Sequence, residues 1–386
     1  MNMHKTSDIR YIGVNDHEID LFEGQYAVPN GMAYNSYAIV DGKIAVMDSV
    51  DRHFAGEWLE HIAQALGGRT PDYLIVQHME PDHSGSIEAF MDAYPQATIV
   101  SSTKAFSMMQ AFFGKDYADR RLAVKEGDTL SLGRHELRFF TAPMVHWPEV
   151  FVTYDACEKA LFSADAFGRF GALDVQADWA DEARRYYIGI VGKYGAQVQA
   201  LLKKLAALDV QTICPLHGPV LEDNLASYLA LYDCWSSYRP ESHGVTIACA
   251  SIYGGTMKAA RLLADQLRAQ GETVVLYDLA RCDMAQAVSD AFRYDRLVLA
   301  SSTYNAGVFP FMQTFIHHLT ERGFRNRTVA LMESGAWAPM AAKVMRGMLE
   351  SSKELTFAET AVKITCAPGD ANLAQIDALA AELHGA

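Results

Sequence analysis

The chain has 386 residues, half of them apolar and 21% charged, with a formal net charge of −14; it is long enough for two domains with ordinary cores, and its acidity argues against nucleic acid and anionic membrane surfaces as partners. The opening MNMHKTSDIRYIG lacks an apolar signal core, and no run approaches the roughly 20 apolar residues of a membrane helix. The six cysteines (157, 214, 234, 249, 282 and 366) are scattered with no Cys-x-x-Cys pair, which excludes a rubredoxin-type or iron–sulfur motif within this chain and fits a reducing, cytoplasmic setting.

Taken in order, residues 32–50 predict two strands joined by a turn at Asp41-Gly42, the second ending at Asp48. Residues 73–77 form a short apolar strand between Pro71 and Pro81, and His78, Glu80, Asp82 and His83 follow it directly. His78 and Glu80 are two apart, so on extended chain they point the same way. Pro81 turns the backbone, and Ser84-Gly85-Ser86 lets a helix begin. A solvated loop would favour Asn, Ser and Lys over interleaved His and carboxylate, so this run reads as a metal site. Residues 98–101 predict a strand, 103–113 a helix, and β segments punctuated at Asp128-Thr129 and Leu132-Gly133 reach Thr141. The mixture suggests two sheets sandwiched by helices.

Three later positions place a metal-binding type just past an apolar strand, where loops converge. His146 lies in the proline-flanked loop 143–148, Asp165 ends the strand 161–165, and His217 precedes Gly218 after the strand 210–216. Each alone is weak, since a lone His or Asp at a strand end is usually a satisfied structural residue. Residues 163–171, rich in aromatics and glycine, are a candidate to line the same pocket, 187–199 is also rich in Tyr and Gly, and 222–238 predicts one amphipathic helix. The remaining histidines (4, 17, 53, 61, 135, 243, 317, 318 and 384) show no convergent partners.

A polar connection at 236–244 separates two domains, 1–243 and 244–386. Beyond it strands at 245–250, 273–277, 296–300, 328–332 and 362–366 alternate with helices at 257–270, 310–322, 339–350 and 370–383, which gives a doubly wound parallel sheet. Three loops at strand carboxyl ends carry hydroxyls and glycines. Ser251, Tyr253, Gly254, Gly255 and Thr256 precede a helix N-terminus and make an anion cradle, without the Gly-Lys-Ser/Thr of a Walker loop. Ser302, Thr303, Tyr304, Asn305 and Gly307 form the second loop. Ser334, Gly335, Ala336 and Trp337 form the third, with Trp337 offering a flat surface for an aromatic ring.

His-x-Glu-x-Asp-His resembles the metallo-β-lactamase superfamily loop His-x-His-x-Asp-His, with Glu80 in place of the second His. Added carboxylate oxygen favours a harder ion such as iron over zinc. With His146, Asp165 and His217 in series, and Ser-x-Tyr-x-x-Thr matching the flavodoxin phosphate loop, nearly the whole chain resembles the flavodiiron proteins. Family members commonly carry Pro where Ser302 stands.

The resemblance implies a metallo-β-lactamase-like αββα sandwich followed by a flavodoxin-like domain, α/β and α+β, in a minimal arrangement without a C-terminal extension. It implies two irons and FMN: one iron on His78, Glu80 and His146, the other on Asp82, His83 and His217, and Asp165 across both, with Tyr194 near the metal pocket as a proton or hydrogen-bond donor. It implies reduction of O2 to water, NO to N2O, or both, an external donor such as rubredoxin or a reduced flavin or deazaflavin carrier, and a head-to-tail homodimer or homotetramer. The alternatives are a dinuclear-metal hydrolase of the lactamase superfamily, a non-catalytic flavin electron carrier, or a redox sensor or scaffold. Glu80 and the second domain weigh against the hydrolase, and the seven ligand-type residues against a simple carrier.

Overall fold

The computed structural model describes residues 8–385. Its residues gather into two compact units. One runs to Tyr187 and includes Tyr194–Asp233, and the other holds Ile188–Lys193 and everything from Cys234 onward.

Two sheets make the first unit. The order in one is Ile9–Tyr11, Tyr37–Val40, Ile44–Met47, Tyr73–Ile75, Thr98–Ser102 and Arg121–Val124; in the other it is Thr129–Ser131, Glu136–Thr141, Phe151–Asp155, Ala160–Phe162 and Thr212–Cys214. Ile39, Ala45, Met47, Ile75 and Val100 on one sheet meet Leu137, Phe139, Phe151 and Phe162 on the other. That shared face is the core. Outside it the helix Ala55–Leu66 buries Trp58, Ile62 and Leu66 and stops at left-handed Gly67, a conformation glycine adopts at no steric cost. The expected helix at 103–113 is present, with the Ser102 hydroxyl capping it by accepting from the Ala105 N–H.

Residues 32–50 form three strands rather than two. Met32–Tyr34 pairs with Val14–Asp16, and the chain breaks at Asn35 before Tyr37–Val40 and Ile44–Met47 close the expected hairpin. Asn35 explains the break, because its side chain donates to the carbonyls of Pro215 and Gly218 and its N–H to that of Leu216. These bonds tie the hairpin to the loop that carries His217. The helix expected over 222–238 is shorter, Leu225–Ser236.

In the second unit Val274–Asp278, Ser242–Ala250, Tyr294–Tyr304 and Arg327–Ser334 pair in parallel in that order. The expected fifth strand is present but shorter, Val362–Ile364, and an additional strand, Leu355–Phe357, precedes it; both are parallel to Arg327–Ser334. The near-continuous apolar run at 245–250 is what a strand covered on both faces requires. Gly255–Ala269 and Asp370–His384 cover one face, burying Leu263, Leu267, Leu379 and Leu383 against Val245, Ile247, Val298 and Met332. Met284–Arg293, Pro310–Glu321 and Ala341–Met348 are the remaining helices of the unit. Among the described residues, no helix is long and apolar enough to cross a membrane.

Candidate metal centre and hydroxyl-lined pocket

The seven ligand-type residues converge at one end of the two sheets of the first unit. Pro81 opens a single helical turn, Pro81–Ser84, so Asp82 and His83 sit on that turn rather than in open loop. His146 lies in a tight loop beyond Glu136–Thr141, and Asp165 and His217 each follow a short buried strand by three residues.

They form two groups, each with ligand atoms within 4.8 Å of one another. In the first, His78 Nε2 lies 3.2 Å from Glu80 Oε2 and 3.2 Å from Asp165 Oδ2. His146 Nε2 lies 3.0 Å from the same Glu80 oxygen and 3.1 Å from the same Asp165 oxygen. In the second, His83 Nε2 and His217 Nε2 stand 2.9 Å apart, each 3.3 Å from Asp82 Oδ2. Asp165 Oδ1 faces this group at 3.3 Å from His83 and 3.7 Å from His217. Asp165 thus turns one oxygen to each group.

This arrangement suits two cations. Both oxygens of Asp82 and of Asp165 are buried without a hydrogen-bond donor, a costly state for carboxylates unless positive charge stands beside them. Burial disfavours charge on His78, yet Asp165, Glu149 and Glu80 around it raise its pKa well above the ordinary range. Burial likewise works against His146, but Asp165 and Glu80 bring it to about 9. Burial alone would raise Asp165; His78, His146 and His83 instead hold it well below the usual carboxylate range. Three carboxylates and four imidazoles, all aimed inward by Nε2 or oxygen, match the donor set of a dinuclear site with ions about 3.5–4 Å apart.

A second layer aims these groups. His78 Nδ1 donates to Glu149 Oε1 at 2.9 Å, and His217 Nδ1 to the Ala33 carbonyl at 2.7 Å. Each bond fixes the tautomer that leaves Nε2 a lone pair for the centre. The buried His83 Nδ1 has no hydrogen-bond partner among the described residues. Asp48 accepts from the N–H and side-chain amide of Gln77 at 2.7 and 2.9 Å, bracing the start of the loop. The Leu21–Phe22 and Tyr26–Ala27 strands form a hairpin whose Phe22 ring stands 5.4 Å from His217.

The tyrosine on the cluster is Tyr186, not the expected Tyr194. Tyr186 ends the helix Trp179–Tyr186 and packs on His217. Its hydroxyl is pushed well above the usual phenol range by burial and by Asp165, Asp82 and Glu80. Tyr194 closes a short turn, Gly192–Tyr194, and precedes the helix Gly195–Leu205; none of the cluster contacts involves it. Sequence reasoning also missed Glu149. A carboxylate three residues after His146 in the same loop was its available signal, whereas nothing local distinguishes Tyr186 from its neighbours.

Of the other histidines, expected to have no convergent partners, His243 lies at the surface 2.6 Å from Asp295 and 3.6 Å from Glu272, and His135 departs furthest from the expectation. It is fully buried, 2.9 Å from Asp155 and 3.3 Å from Asp8, with Glu158 nearby. Arg134 pairs with Asp8 and balances this group as an ion-pair network. His4 lies outside the described residues.

The second unit holds a cavity of about 480 Å³ at the strand carboxyl ends, within the usual range for a cofactor site. Ser251, Tyr253, Gly255, Thr256, Ser302, Thr303, Asn305, Ser334, Gly335, Ala336 and Trp337 line it as expected, joined by Ile252, Ala306, Ala338 and Cys366. Thr256 Oγ1 lies 2.7 Å from Ser334 Oγ and 3.0 Å from Ser302 Oγ. These hydroxyls gather where the helix Gly255–Ala269 presents its unpaired N–H groups. A phosphate there would be held by backbone and hydroxyls, since no Lys or Arg lines the cavity among the described residues. Tyr253 and Trp337 are 99% and 83% exposed, two aromatic faces at its mouth that suit a planar ring. The cavity therefore fits a phosphorylated flavin.

Gly254, Tyr304 and Gly307 do not line it. Gly254 is the left-handed turn before the helix, its N–H donating to Ser251 Oγ. Tyr304 and Gly307 pair with each other across a two-residue turn, and the Tyr304 ring packs on Phe309 at 5.7 Å. The strand runs on to Tyr304, past its expected end at 300.

Residues 32–218 match the ODP family beta lactamase model, and residues 247–368 the flavodoxin model. A solved structure of a rubredoxin oxygen:oxidoreductase from Desulfovibrio gigas superposes with a TM-score of 0.91 at 28% identity, covering 100% of this chain and 98% of that one. The flavodiiron protein of Giardia intestinalis superposes with a TM-score of 0.88 at 25% identity, covering 98% of this chain and 94% of that one. A nitric oxide reductase of Moorella thermoacetica is 28% identical over 94% of this chain and 93% of its own.

Proposed function

The chain belongs to the flavodiiron proteins, and on that premise we propose that it is an oxidoreductase reducing O2 to water, NO to N2O, or both, at two irons, with electrons relayed through FMN. One observation carries the reading. Asp165 turns Oδ2 to His78 and His146 and Oδ1 to His83 and His217, so one carboxylate is shared by two metal positions. His78, Glu80 and His146 hold one iron in this reading, and Asp82, His83 and His217 the other.

When bound, FMN and two irons would supply the redox chemistry, storing between them the four electrons that O2 requires, while a pair of NO molecules requires two. The chain's part is to bind, orient and supply protons. Glu149 and the Ala33 carbonyl orient His78 and His217. Tyr186 stays a protonated phenol against the cluster and is the proposed hydrogen-bond or proton donor. Thr256, Ser302 and Ser334 take the flavin phosphate, and Trp337 and Tyr253 the ring. Glu80, where the hydrolases of the superfamily carry His, supports iron over zinc.

The electron donor is a separate carrier, rubredoxin or a reduced flavin or deazaflavin carrier; a relative is named rubredoxin-oxygen oxidoreductase. The setting is cytoplasmic, which the six free cysteines suit, and the assembly is a head-to-tail homodimer or a dimer of such dimers. Anaerobic pre-reduction followed by parallel turnover with O2 and NO, with iron and flavin counted on the same sample, tests the reading. About two irons and one FMN per chain with turnover of either gas is expected. Two zincs with full ester or thioester hydrolysis would overturn it.

A further inference from the structure

Glu149 is buried completely, and its contacts converge on one metal position. Oε1 accepts from His78 Nδ1 at 2.9 Å and from the Met79 N–H at 2.9 Å. One carboxylate oxygen therefore sets both the ring of His78 and the peptide that leads to Glu80. Glu149 also stands three residues after His146, and its own carbonyl accepts from the Ser102 hydroxyl at 3.1 Å. It thus joins the two loops that supply His78, Glu80 and His146. Trp147 closes the same corner, its ring 5.2 Å from His78.

Among the described residues, no carboxylate hydrogen-bonds behind the imidazoles of the other position. His217 Nδ1 donates to a neutral carbonyl, and His83 Nδ1 has no partner among the described residues. A negative acceptor behind an imidazole raises its basicity and locks its direction more than a carbonyl does. The remaining oxygen of Glu149 is buried without a hydrogen bond, a cost that a nearby cation offsets.

We propose that Glu149 is a positioning residue that makes the His78–Glu80–His146 position the tighter of the two metal positions. The proposal rests on the two-iron reading above. Removing the charge of Glu149 weakens that position by about 10–100-fold and leaves the Asp82–His83–His217 position as it was.

The test uses Glu149→Gln, which keeps size and an acceptor oxygen while losing charge, and Glu149→Ala, which loses both. Iron release to a chelator is followed in the reduced holoprotein, with Mössbauer spectra recorded on isotopically enriched samples. The wild type should release its irons in two phases. Glu149→Gln should accelerate the slower phase about 10–100-fold and change one of two Mössbauer signals, with FMN content and melting temperature kept. If Glu149→Ala does not fold, Glu149→Gln decides alone. Asp155→Asn, at the buried partner of His135, is the control for burying a neutral group, and it should leave both phases unchanged. Equal acceleration of both phases, or wild-type release and spectra in Glu149→Gln, overturns the proposal. A wild type that holds no iron would instead overturn the two-iron reading.

Discussion

The ring of Tyr186 lies 5.4 Å from the imidazole of His217, tilted by 56°. Its hydroxyl is buried and raised by Asp165, Asp82 and Glu80, so it keeps its proton across the working pH range. Tyr186→Phe should lower turnover about 10–100-fold, the worth of one hydrogen bond to a charged group, with iron and FMN contents unchanged. Tyr194→Phe should turn over like the wild type. Steady-state rates with O2 and NO on metal-quantified protein check both, and the reverse ranking of the two variants would return the role to Tyr194.

Gly255 opens the helix Gly255–Ala269 and lines the cavity of the second unit. A Cβ there would fall 1.9 Å from the Cys366 carbonyl oxygen, a backbone atom that cannot swing aside. Gly255→Ala should force the phosphate loop from the loop after Val362–Ile364, at about 1–3 kcal/mol, and weaken FMN binding by about 10–100-fold. Iron content should not change, because its binding groups all lie in the other unit. Flavin fluorescence titration and metal analysis read the two effects separately, and retention of full FMN affinity would show that the two loops move freely.

The strand-end residues were legible because they lie at or just past apolar runs, in loops that contain proline, glycine or small residues. Local chemistry thus announces the loop of His78, Glu80, Asp82 and His83, whereas His146, Asp165 and His217 are each weak alone and become legible only in series with that loop. Three features were not legible. Tyr186 reaches the cluster only because Trp179–Tyr186 packs there, and a helical tyrosine carries no mark of where its helix docks. Asn35 looked like interior strand until its bonds to Pro215, Leu216 and Gly218 broke the strand. Tyr304 and Gly307 had the composition of a ligand loop, but the strand continued and closed its own turn around Asn305 and Ala306. In each case a contact distant in sequence overrode a local pattern.

Glu80 is the residue on which the choice of metal turns. Its Oε2 stands 3.0–3.2 Å from both imidazoles of its group. Glu80→His replaces a hard oxygen by a third imidazole and removes one negative charge. In medium with equal iron and zinc, the variant should shift its bound metal from iron towards zinc, and O2 and NO turnover should fall to background. FMN should stay at one per chain. Elemental analysis beside flavin absorbance decides it, and an iron-loaded variant with wild-type turnover would remove Glu80 from the explanation.

Tyr253 and Trp337 leave nearly whole aromatic faces in water at the cavity mouth, 99% and 83% exposed. A bound flavin would cover part of that surface, and the head-to-tail assembly proposed above would cover the rest. Electron transfer falls steeply with distance, so a productive flavin must lie close to an iron pair. A two-fold, head-to-tail dimer meets this by setting the flavin of one chain beside the irons of its partner. Asp165→Ala should lose metal and activity yet keep FMN, and a chain disrupted at both Thr256 and Trp337, which line the flavin cavity, should lose FMN and activity yet keep metal. Neither homodimer turns over, but a mixed dimer contains one intact iron site facing one intact flavin. Unfolding and refolding the two variants together, or co-expressing them with different tags and purifying through both, should restore up to about half the wild-type rate per dimer, because one of two cross-chain pairs is whole. A purified mixed dimer without activity, or a monomer that reduces O2 or NO at the full rate, would sink the arrangement.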